Sequence, residues 1–93
     1  MQRKLDIMGE NIKLARLRRK LNTSQVAERA GVSLSTLDLI EKGSADVMMG
    51  DYLNVLKTLR LDSDIYTIAS NDELGRKLQD IELLNRDSTA NAK

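Results

Sequence analysis

Apolar positions recur along this chain at helical spacing in short blocks, each closed by a polar or glycine break. The first block predicts a helix from about Gly9 to Lys20, with Ile12, Ala15 and Arg16 on one face. The second has a clear start. Asn22 can cap it, and Gln25 three residues later can reach back to complete a capping box. Val26, Ala27 and Ala30 form its stripe, and Gly31 supplies a sharp turn. Ser33 caps a third helix, with Leu37 and Ile40 as its buried pair and Gly43 as its stop. Ser44 to Met49 reads as a loop. A fourth helix begins near Met49–Gly50–Asp51 and runs to about Arg60, with Tyr52 or Leu53, Leu56 and Leu59 inward. Asp62, Ser63 and Asp64 break the pattern, and Ile65 to Ala69 can form a short helical turn. Ser70 or Asn71 caps a last helix in which Leu74, Leu78, Ile81 and Leu84 share a face. The polar stretch 85–93 is expected to be disordered. No internal repeat is visible.

The expected architecture is therefore all-α, a compact bundle of about five helices. Residues 9–62 form the main domain, 63–84 a helical extension and 85–93 a tail. Composition supports this. In 93 residues there is no proline, phenylalanine or tryptophan, and the only aromatics are Tyr52 and Tyr66, so the core must be aliphatic. A core this small is marginal alone, which makes a homodimer the expectation. The stripe Leu74, Leu78, Ile81 and Leu84 is the first candidate for its interface, with Met49 and Tyr52 beside it. The alternative is that the last helix folds back on its own core. Met48 and Met49 are expected to fill the seam between the third and fourth helices, or to serve a dimer contact.

The absence of cysteine and histidine removes disulfides, ordinary zinc sites, thiol nucleophiles and histidine bases. Asp62 with Asp64, and Asp72 with Glu73, read more simply as caps or first-turn acids than as metal ligands. No residue set supports an enzyme, a metal or a cofactor. No apolar run approaches a membrane span or a signal core, so the expected place is the cytoplasm, with no membrane partner. The net charge of +1 hides a gradient: +5 over residues 1–20, −1 over 21–60 and −3 over 61–93. A basic front suits nucleic acid, and ordinary solvated helix faces explain it equally well.

The most informative element is the pair of short helices across residues 22–42. Small Ala27 and Ala30 allow a close crossing, and Leu37 and Ile40 leave Ser33, Leu34, Ser35, Asp38 and Leu39 exposed. That geometry can place the second helix of the pair in a major groove, and it equally fits an αα-hairpin of another purpose.

Residues 9–61 resemble the Cro/C1-type (XRE-like) helix-turn-helix family, of lambda-repressor-like fold. The match rests on Arg16, the Asn22–Ala27–Gly31 frame, Ser33, Leu37 and the Ile40–Glu41–Lys42–Gly43 ending. The resemblance implies binding to double-stranded operator DNA and a structural salt bridge between Arg16 and Glu41. A narrower resemblance, to HipB-like antitoxins, covers MGENIKLARLRRKL, QVAERAGVS, IEKG, MGDYLNVL and above all DELGRKLQD at residues 72–80. It implies a dimeric repressor that also holds a HipA-type kinase toxin.

The third helix departs from the family's pattern. Base readers are typically Arg, Lys, Asn or Gln, whereas the outward positions here hold Leu34, Ser35, Asp38 and Leu39. Leucine can only pack on a thymine methyl, and Asp38 repels phosphate unless it accepts from a cytosine amino group. Thr23 replaces a frequent glutamine, and the loop after Gly43 carries Asp46 but no cation. Phosphate contact then falls to Thr23, Ser24, Ser33, Thr36 and Lys42 with the two helix starts. Arg18, Arg19 and Lys20 either add long-range attraction or form a solvated face. Weak half-sites make dimerisation more necessary. The competing reading is a protein-interaction module that keeps the fold without reading DNA.

Overall fold

The computed structural model of the chain describes residues 1–70 and Leu84. Four α-helices follow in order: α1 (Gln2–Arg18), α2 (Thr23–Ala30), α3 (Leu34–Glu41) and α4 (Met49–Thr58). A 3-10 turn covers Ser63–Thr67. The expected class, all-α, agrees with these elements, but the described residues hold four α-helices rather than five. Contacts divide the chain into Met1–Ser63 and Asp64–Lys93. The proposed stripe residues Leu74, Leu78 and Ile81, and the 85–93 tail, lie outside the described residues. Leu84 is helical and 68% exposed.

The core of the first unit is aliphatic. Ile12 and Ala15 come from α1, Val26, Ala27 and Ala30 from α2, and Leu37 and Ile40 from α3. Tyr52 and Val55 come from α4, with Leu59 just beyond it. Met8, Leu21, Val32, Val47 and Leu56 pack around this centre. Helix α3 is held against both α1 and α2, and α2 packs against α4. All the charged or polar side-chain atoms buried among the described residues have hydrogen-bond partners, so the interior carries no orphaned group.

The structure departs from three of the sequence expectations. Helix α1 begins at Gln2 rather than Gly9, because Gly9 lies in mid-helix at a contact with α3. Val55 is fully buried, an inward position that the period centred on Leu56 overlooked, while Leu53 and Leu56 are only half-buried. Met48 and Met49, at 74% and 72% exposed, do not fill a seam between α3 and α4. Tyr52 is buried instead, and its hydroxyl donates to the Ser44 carbonyl and ties α4 to the preceding loop.

Candidate nucleic-acid interface

The candidate interface comprises two capped helix starts. At α2 the Asn22 side chain accepts from the Gln25 amide at 2.8 Å, and the Gln25 side chain accepts from the Asn22 amide at 2.9 Å. This reciprocal pair satisfies two amides and leaves Thr23 and Ser24 exposed on the first turn. The other first-turn amides have no intrahelical acceptor, and such groups favour an anion. Gly31, in the left-handed region at φ +73°, then turns the chain without a Cβ penalty.

Ser33 starts α3. Its Oγ accepts from the Thr36 amide at 3.0 Å and donates to Thr36 Oγ1 at 2.9 Å, while Ser35 Oγ lies 3.1 Å away. The three hydroxyls therefore form one cluster at the helix start. Ser33 and Ser35 are exposed, and Thr36 is half-buried. Leu37 and Ile40 bury the inner face completely. The opposite face presents Leu34 at 54% exposure, Leu39 at 44%, and Asp38. Lys42, at the C-terminal cap, is not a free cation. Its Nζ lies 2.8 Å from Asp38 Oδ2, one turn back along the same ridge. That carboxylate raises the Lys42 pKa, chiefly through the hydrogen bond.

Arg16 and Glu41 sit behind this face. Arg16 Nε donates to Glu41 Oε2 at 2.7 Å, and Nη2 donates to Oε1 at 3.1 Å, a two-pronged contact. Arg16 Nη1 also donates to the Leu21 carbonyl at 3.0 Å, and both side chains are only 9% exposed. The bond to Glu41 raises the Arg16 pKa against the opposing effect of burial. The guanidinium thus joins α1, the α1–α2 turn and the end of α3. It orients α3 from behind and is not presented to a phosphate.

Of the positions assigned to a dimer or partner, Met49 is at the surface and Tyr52 is not. Tyr52 is 7% exposed and belongs to the core, where its hydroxyl is satisfied by the Ser44 carbonyl. Arg19 donates from Nη1 to the Ala15 carbonyl at 2.9 Å, so part of its donor set serves the end of α1. One positioning residue escaped the sequence reading altogether. Gln2 donates through Nε2 to the Gly43 carbonyl at 2.9 Å, closing the end of α3 from the N-terminal turn of α1. No periodic signal marks it, since it is a single polar residue reaching across the fold.

Among the described residues, no helix is long and apolar enough to cross a membrane. No curated protein matches the chain. A family model described as a helix-turn-helix domain does match, over residues 7–64. That span runs from the first turns of α1 through both capped helices and α4. With more than half of the 93 residues matched, and with two short helices set across a glycine turn, the chain belongs to the helix-turn-helix domain family, a family of DNA-binding folds.

Proposed function

We propose that the protein is a dimeric, sequence-specific DNA-binding repressor that presents α3 to the major groove. The observation that carries this reading is the division of α3 into two faces. Leu37 and Ile40 are fully buried against the core, while Leu34, Ser35, Asp38 and Leu39 stand exposed together. The helix-turn-helix arrangement uses such a face to reach base edges, with the preceding helix start on the backbone. The capped start of α2, with Thr23 and Ser24 exposed, suits that second role. Dimerisation is supported by the sparse cationic equipment of α3, which leaves a single half-site weak. The resemblance of residues 72–80 to HipB-like antitoxins extends the reading to a partner, a HipA-type kinase toxin held by the same protein.

A second reading, a protein-docking module, is favoured by one specific feature. The outward face of α3 carries two exposed leucines, and its nearest cation is already paired with Asp38. Fluorescence anisotropy on the duplex upstream of the gene, against scrambled duplexes at several salt concentrations, separates the two. Preferential binding to the upstream duplex supports the repressor. Equal binding to every duplex sinks it in favour of the module. Light scattering at micromolar concentration tests the dimer, and a 10.4 kDa species would refute it. Co-purification with a co-expressed HipA-type kinase tests the antitoxin role, and failure of the two to associate would remove it.

A further inference from the structure

We propose that Asp38 and Lys42 read DNA as one unit, Asp38 selecting a cytosine and Lys42 supplying the charge that admits a carboxylate to the groove. The inference rests on the DNA-reading function proposed above.

Ser35, Asp38 and Lys42 follow one another at i, i+3 and i+7 and form a single polar ridge on the outward side of α3. Leu34 borders the ridge on one side and Leu39 on the other, both exposed. Within the ridge, the Asp38–Lys42 pair lies at 2.8 Å with side chains 61% and 70% exposed. Neither group is buried against the core. The pair is therefore accessible to a ligand on the face where base readers stand.

An ionised carboxylate is an acceptor only. In the major groove guanine presents N7 and O6, and thymine presents O4, all acceptors that repel it. Only cytosine N4 and adenine N6 are donors, and adenine sets its N7 acceptor beside that donor. Cytosine is consequently the base that Asp38 accepts best, and discrimination arises as much by rejecting the others. A lone carboxylate would also be repelled by the phosphates on either side of the groove. Lys42 cancels that charge at contact distance and leaves the ridge locally neutral. The flanking leucines suit thymine methyls, so the preferred half-site holds a cytosine next to thymines.

The test is selection from a random duplex library, followed by anisotropy with wild type, Asp38→Ala, Asp38→Asn, Lys42→Ala and the double variant. Both positions are exposed, and circular dichroism melting confirms that each of the four variants is folded. Wild type should enrich one cytosine per half-site. Asp38→Ala should lose about tenfold discrimination at that position and keep the other preferences. Asp38→Asn should move the preference toward adenine, which an amide can engage in two-pronged fashion. Lys42→Ala should weaken binding several-fold more when Asp38 is present than when it is alanine. An unchanged consensus for Asp38→Ala, or an equal effect of Lys42→Ala in both backgrounds, overturns the inference while leaving DNA reading intact. Absence of any enriched sequence for wild type instead removes the DNA-reading function, and the inference with it.

Discussion

Gly9 of α1 and Gly43 at the end of α3 meet backbone to backbone. A Cβ on Gly9 would lie 2.7 Å from the Gly43 nitrogen and equally close to the Ile40 carbonyl oxygen. A Cβ on Gly43 would lie 2.6 Å from the Leu5 carbonyl carbon, and Gly43 also holds φ at +76°. The obstructing atoms are backbone and cannot rotate away, so the two helices would have to separate. Gly9→Ala should destabilise by about 1–3 kcal/mol through overpacking. Gly43→Ala should cost more, since backbone strain adds to the clash. Gly50→Ala, with open space around its Cβ, serves as the control and should be neutral or slightly stabilising. Urea unfolding of the three variants measures the order, and equal stability for all three would refute the close crossing.

Arg16→Ala and Glu41→Ala should each lower stability by about 3 kcal/mol, because each leaves the other charge nearly buried and without its partner. The double variant should cost clearly less than the sum. A thermodynamic cycle from urea unfolding measures the coupling, and additive losses would show that the two side chains act independently. The effect on DNA binding should follow the loss of folded protein, since Arg16 is not presented on the outward face.

Tyr52 links pH to stability through its phenol. Burial raises its pKa above the ordinary value. The unfolded chain therefore ionises first, near pH 10. Stability from the neutral phenol is complete below that point and is lost as pH rises through the folded pKa. Tyr52→Phe removes the bond to the Ser44 carbonyl and should cost about 1 kcal/mol at neutral pH. It should also flatten the alkaline loss. Thermal melts of both proteins at pH 8 and pH 11 compare the two, and parallel losses would exclude Tyr52 as the source.

Ser33 and Asn22 allow capping to be separated from DNA contact. Asn22→Ala and Ser33→Ala should each cost about 1 kcal/mol, since each removes an observed side-chain cap. Ser33→Asp preserves an acceptor for the Thr36 amide and should retain stability. It also adds a negative charge at the exposed start of α3, so binding to the upstream duplex should fall at least tenfold, on the order of one lost phosphate contact. Undiminished binding by a stable Ser33→Asp protein would place the start of α3 away from the phosphates.

Much of the helix-turn-helix was legible in the chain because its signals are local. Asn22 with Gln25, Gly31 and Ser33 are cap and turn residues that act on amides within a few positions, and the structure places each of them in that role. The stripes of Ile12 and Ala15, of Val26, Ala27 and Ala30, and of Leu37 and Ile40 were equally legible, since helical period alone sorts them inward. Where period was ambiguous, as in α4, it favoured Leu56 and passed over Val55. The start of α1 was misplaced for a different reason. A glycine inside a helical pattern reads as a boundary, and only the approach of α3 reveals why a side chain is excluded at Gly9.

Local signals alone marked where α2 and α3 begin and end and which of their side chains turn inward. Resemblance added the Arg16–Glu41 partnership. Only the tertiary arrangement brought Gln2 to Gly43, chose Tyr52 over Leu53 for the core, and left Met48 and Met49 exposed. Caps and periodicity depend on neighbours within one or two turns. Close backbone crossings, burial of an aromatic ring and the acceptor met by a polar side chain on another element depend on which elements arrive beside them, and a linear pattern does not encode those choices.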